Sequence, residues 1–188
     1  MQQLPLFPLK LYLLPGGISQ LRIFEPRYTR LVKLAMTTGE GFGLCMIEHE
    51  QICRFGTRVV ITDFETLDDG FLGITVEAVD KFVITDYQQD NDGLYMANIE
   101  TFPNWPNASV DFSDNDLVES LKAVFIEYPE HSAHYPAPQF DNISWVCQRW
   151  LEVLPLEINQ KQWFISRSDH LPAVSFLHSV INETNTDH

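Results

Sequence analysis

The chain has 188 residues, of which 45% are hydrophobic and 20% charged, with a formal net charge of −14. This composition excludes a disordered chain and leaves length for one compact unit or two closely packed subdomains. The charge is uneven: residues 1–60 carry +3, residues 61–119 carry −13 with a single Lys, and residues 120–188 carry −4, so the middle third repels phosphate backbones and disfavours nucleic acid as a partner.

In chain order, Leu4, Leu6 and Leu9, then Leu11 to Leu14 and Pro15-Gly16-Gly17, read as extended chain ending in a turn. Glu25-Pro26 opens a helix in which Tyr28, Leu31, Val32 and Ala35 recur at helical spacing, and Gly39 suits its stop. Arg27, Arg30 and Lys33 fall away from that stripe. Strands are expected at Phe42–Ile47, Thr57–Leu67, Phe71–Val79, Phe82–Tyr87 and Leu94–Phe102. Asp68-Asp69-Gly70 and Asn91-Asp92-Gly93 serve as hairpin turns between them.

The remainder reads as helical. Ser113 and Asp116 are spaced as a cap for a helix with Leu117, Leu121, Val124, Phe125 and Tyr128 on one face. A loop rich in Pro and His, Glu130 to Gln139, leads to a second helix with the stripe Ile143, Val146, Cys147, Trp150, Leu151 and Leu154. Short helices follow around Gln160–Ile165 and Leu171–Ile181, and the polar tail Asn182–His188 is expected to fray. Strands first and helices afterwards give an α+β class, with a small closed or partly closed barrel at the front. The division falls into a β-rich subdomain with one helix at 1–105 and a helical subdomain at 106–188.

Cys45, Cys53 and Cys147 form no C-x-x-C pair, and an odd count fits a reducing compartment. The apolar start lacks a positive leader and is broken by Pro5, Pro8 and Lys10. It reads as strand rather than signal peptide, and no apolar run reaches membrane-span length. The expected location is the cytoplasm.

A search for chemistry returns little. Gly39-Glu-Gly-Phe-Gly43 lacks the Lys-Ser or Lys-Thr of a phosphate loop. Glu130, His131 and His134 offer three metal-ligand types in one loop, the basis of a metal-dependent hydrolase as an alternative reading. Cys147 and Cys45 lie among apolar neighbours and read as buried hydrophobes rather than nucleophiles. There is no G-x-S-x-G elbow. No catalytic residue, cofactor or metal is assigned. Arg22, Arg27, Arg30 and Lys33 read as partners of the chain's own carboxylates.

Leu4-Pro-Leu-Phe-Pro-Leu9, Leu14-Pro-Gly16 and Leu21-Arg-Ile-Phe-Glu-Pro-Arg-Tyr28 resemble the amino-terminal domain family of ATP-dependent Lon proteases. Phe42-Gly43, Gly56-Thr57, Asp69-Gly70, Ile74-Thr-Val76 and, near the end, Leu154-Pro-Leu156, Lys161-Gln162 and Asp169 extend the likeness over nearly the whole chain. It departs at Ala78-Val-Asp-Lys-Phe82, where the family usually has Gly before Arg-Phe. The resemblance implies a PUA-like barrel followed by a helical bundle, recognition of unfolded or exposed polypeptide segments, self-association, and no ATPase or Ser-Lys protease part within this chain. It also raises an RNA-binding PUA-like module as an alternative, against the net charge.

The motif itself has a physical reading. Leu21, Ile23 and Phe24 anchor the loop into the barrel, Tyr28 faces the core, and Arg22, Glu25 and Arg27 tie the loop down. Arg22, Phe24, Glu25, Arg27 and Tyr28 are also candidate binding residues. Trp105, Trp163 and Phe164 are the expected exposed aromatic anchors, since Trp concentrates binding energy at interfaces.

Overall fold

Six strands in the first half of the computed structural model, which describes residues 1–186, form one sheet in the order β2-β5-β4-β3-β1-β6, with β5 also pairing β6. The strands are β1 (Gln2–Pro8), β2 (Ile18–Ile23), β3 (Phe42–Glu48), β4 (Gln51–Thr66), β5 (Leu72–Gln89) and β6 (Tyr95–Phe102). The extra pairing closes β5, β4, β3, β1 and β6 into a barrel and leaves β2 attached outside the ring. All pairs are antiparallel except β1–β3. That parallel pair needs a crossover, and helix α1 (Pro26–Thr38) supplies it.

Local chemistry explains α1. Pro26 stands at its first turn, and Gly39 closes it in the left-handed region at φ 72°, its N–H reaching the Ala35 carbonyl. Tyr28, Leu31, Val32 and Ala35 are buried against one core that includes Phe7, Phe42, Val59, Ile74 and Val76. Tyr28 stacks on Phe7 at 3.9 Å between ring centroids. A second core contains Leu4, Leu6, Cys45, Phe82, Ile84, Ala97 and Ile99. Adjacent β1 residues therefore serve different cores, Leu6 one and Phe7 the other.

Three strand expectations need correction. Ile18–Ile23 is a strand and not a loop. The chain expected as two strands, Phe71–Val79 and Phe82–Tyr87, is the single β5 of 18 residues. Asp80-Lys81 reads as a break in sequence, but Asp80 pairs with Arg58 directly opposite on β4 at 2.6 Å, and Lys81 is fully buried beside the Phe102 ring. β4 starts at Gln51, six residues before expectation, because a tight turn at His49 and Glu50 takes positive φ (48° and 64°) without glycine. The Asp69-Gly70 and Asp92-Gly93 turns form with Gly70 and Gly93 at φ 83° and 89°.

Phe82 lies over two glycines on neighbouring strands, Gly43 of β3 and Gly56 of β4. A Cβ at Gly56 would stand 2.5 Å from both the Phe82 ring and the Leu44 carbonyl, and one at Gly43 would stand 2.8 Å from that ring. Gly56→Ala is therefore expected to cost about 1–3 kcal/mol by overpacking, read as a lower urea midpoint at unchanged slope.

The chain divides into two compact units, Met1–Pro103 and Asn104–His188. The sequence boundary at 105/106 is thus two residues late. Gln148 donates to Asn104 at 2.6 Å and the Trp105 indole donates to the Arg167 carbonyl at 3.0 Å, all within the second unit.

The second unit contains α2 (Asn115–Glu127), α3 (Pro129–Ser132), α4 (Ile143–Val153), α5 (Ile158–Ile165) and α6 (Leu171–Thr186). The Ser113/Asp116 cap does not form. A 3₁₀ turn at Phe112–Asp114 precedes α2, and the Asp114 carboxylate meets His178 Nε2 at 2.8 Å. On α2, Val118 is buried and Tyr128, just past the helix end, is exposed, so the stripe runs Leu117, Val118, Leu121, Phe125. α4 has no polar face over Ile143–Arg149, where all seven residues are buried. α5 carries a capping box between Glu157 and Gln160. α6 extends past Ile181 to Thr186; the final two residues of the expected fraying tail lie outside the described residues.

Candidate functional site

The motif Leu21–Tyr28 is built around β2 and the start of α1. Leu21, Ile23 and Tyr28 enter the core. Burial, the largest influence, pushes the Tyr28 hydroxyl pKa up. Phe24 does not anchor the loop in the barrel; it is 55% exposed. Ile23 already holds the inward position at the end of β2, and Phe24 turns its ring to the edge of Phe71, 6.2 Å away. Arg22 bridges Asp69 at 2.7 Å and lies over Phe71 at 4.6 Å and Phe24 at 5.3 Å.

The other motif charges are also engaged. Glu25 pairs with Arg27 at 3.1 Å, and Arg27 donates to the Gly93 carbonyl at 3.2 Å while covering Tyr28. Arg30 clamps Asp90 and Asp92 across the β5–β6 turn, at 2.8 and 3.0 Å. Of the basic group expected from sequence, Arg22, Arg27 and Arg30 pair with the chain's own carboxylates, whereas Lys33 is exposed and has no ion-pair partner among the described residues. The charge of the three arginines is engaged locally, which argues against an anion site built on them.

In the helical unit the three aromatic candidates separate. Trp105 is 2% exposed and is no surface anchor, because its indole N–H is satisfied inside the unit by the Arg167 carbonyl. Phe164 is also buried, its ring 5.2 Å from Phe176. Trp163 is 46% exposed, with the Arg167 guanidinium over its ring at 4.5 Å. Asn159, Gln160, Trp163 and Phe164 of α5, with Pro172 and Phe176 of α6, line an open, mostly apolar groove of about 450 Å³. Pro172 and Phe176 escaped the sequence reading. Their signal was a four-residue spacing that puts both on one face of α6.

The candidate reactive groups are disarmed by burial. Cys45 and Cys147 thiols are pushed up to about 12, chiefly by desolvation, so neither is a thiolate at neutral pH. His131 packs edge-on against Phe125 at 5.4 Å, with Nε2 buried and unpaired. Burial first, then His134 and Arg149, push its pKa down. Among the described residues no group of three or more His, Cys, Asp or Glu is placed to hold a metal ion. No helix among them is long and apolar enough to cross a membrane.

Residues 3–169 match the family described as the ATP-dependent protease La (LON) substrate-binding domain. The chain belongs to that Lon family. The Lon N-terminal domain protein from Xanthomonas campestris has a similar crystal structure, at TM-score 0.77 and 28% identity, over 95% of this chain and 98% of that one. The N-terminal domain of Mycobacterium avium complex Lon protease shares the fold at TM-score 0.66 and 12% identity, over 94% and 96% of the two chains. Within this Lon-type fold, Lys81 stands where the resemblance leads one to expect Arg. Burial lowers its pKa to about 8.

Proposed function

We propose that this chain is a non-catalytic module that captures exposed polypeptide segments in the groove between α5 and α6. The observation that carries the reading is the groove itself, which a half-exposed Trp163 lines together with Phe164 and Phe176. A mostly apolar cleft of this size admits one or two large side chains, and an exposed Trp is the residue type that anchors such contacts. The family's designation as a substrate-binding domain supports it. So do the buried thiols and the paired arginines, which leave these groups poorly suited to catalysis or anion binding. The three free cysteines favour the cytoplasm as the place where the module works.

The test is a titration of a fluorescently labelled, reduced and alkylated unfolded protein with the full chain at physiological salt. A Kd on the order of 1 μM, about −8 kcal/mol, is expected. Trp163→Ala should weaken it about tenfold or more with an unchanged melting temperature, as removal of an exposed anchor does. No saturable binding by a folded sample, or equal binding by Trp163→Ala, would sink the assignment.

A further inference from the structure

We propose that the open edge of β4, Asp63–Thr66, takes a second kind of contact: an added polypeptide strand in which Lys or Arg alternates with apolar residues. This goes beyond the groove and names a charge class for the segment captured at the barrel.

β3 follows β4 only as far as the pair Phe42–Val59, while β5 accompanies β4 to Thr66. Among the described residues, the other side of β4 beyond Val60 has no strand. Thr62 to Thr66 are all exposed. A bulge that leaves Thr62 without an opposite residue resets the alternation before this stretch.

After the bulge the two faces differ sharply. Phe64 lies opposite Ile74, which lies opposite Leu21, so a row that is core on two strands ends in a ring 44% exposed. Asp63 lies opposite Thr75 and Glu65 opposite Gly73, on the other face. An added strand would lay apolar residues beside Phe64 and place its alternate residues beside the two carboxylates. Cross-strand pairs of opposite charge are favourable and like charges unfavourable.

Asp69, Asp80, Asp90 and Asp92 are each neutralised by an arginine. Asp63 and Glu65 have no ion-pair partner among the described residues. The only cation of residues 61–119, Lys81, is fully buried. A bulge and edge charges are also what keeps a strand edge from pairing at all, and the experiment separates the two roles.

Two labelled, end-capped peptides of equal length, one alternating Val with Lys and one alternating Val with Glu, are titrated into the full chain at low salt. The Lys peptide should bind at least tenfold more tightly. Asp63→Lys/Glu65→Lys should abolish or reverse that preference, whereas Asp86→Lys/Glu100→Lys, the same charge change elsewhere on the barrel, should keep it. In the unaltered chain, hydrogen exchange at Thr62–Thr66 should slow when the Lys peptide is bound. Equal affinities, a preference that survives the Asp63/Glu65 exchange, or unchanged exchange at these amides would overturn the proposal. The groove is judged separately, because Trp163→Ala should weaken capture of the unfolded protein while leaving the peptide preference intact.

Discussion

Arg149→Ala is expected to destabilise the helical unit by about 3–5 kcal/mol. Arg149 is 0% exposed and Glu152 is 4% exposed at the side chain. The guanidinium donates from two nitrogens to both carboxylate oxygens, each at 2.9 Å. It also covers the Trp145 ring at 5.2 Å. Truncation would leave the Glu152 carboxylate in a low-dielectric interior without its counter-ion, and the desolvation cost of that charge is what the experiment would read. Two-sided removal should behave differently. Arg149→Met with Glu152→Leu deletes both charges and keeps apolar volume, so it should recover most of the loss. Denaturant unfolding of Arg149→Met, Glu152→Leu and the pair, beside the unaltered protein, forms a double-mutant cycle. A pair no more stable than Arg149→Ala would show that packing, not the uncompensated charge, dominates.

Lys81→Met is expected to stabilise the barrel by about 1–2 kcal/mol at pH 7. Burial lowers the folded-state pKa of Lys81 to about 8, against an ordinary value near 10.4 in the unfolded chain. Between those values the unfolded state binds more protons, so the Lys81 contribution makes stability rise with pH across roughly pH 8 to 10.4 and stay flat below. At neutral pH the charged, buried ammonium costs about 3 kcal/mol, offset in part by contacts that include the Phe102 ring, 4.6 Å from its centroid, a cation–π interaction of about 1 kcal/mol. Methionine keeps the apolar stem and loses the charge. The check is unfolding free energy from pH 7 to 10.5 for both proteins. The rise across the alkaline window should be present with Lys81 and reduced in Lys81→Met; equal slopes would mean that the ammonium is not desolvated.

The features legible in sequence were those decided within a few residues. The α1 helix needed only Pro26, its four apolar positions and Gly39, and it forms within a residue of expectation. The two Gly-containing hairpin turns formed for the same reason. The order and spacing of the Leu4–Tyr28 pieces were specific enough to indicate the family. Exposure was a different matter. Trp105, Trp163 and Phe164 look alike in sequence, yet one alone stands half in solvent. Phe24 looked like a core residue and is not.

The amino-acid sequence by itself determined the α+β class, the strand-then-helix order, the Lon-type family and the lack of a recognisable catalytic motif, because propensity, turn chemistry and motif spacing act locally along the chain. Only the tertiary structure decided that β5 runs unbroken through Asp80-Lys81 and closes a ring, that α4 is buried on every side around an arginine, and that the groove forms between α5 and α6. It also decided which carboxylates are paired with arginines and which stand without an ion-pair partner at an open strand edge. Each of these depends on which distant residue lies opposite, and a buried charge or an exposed aromatic ring is a property of that pairing.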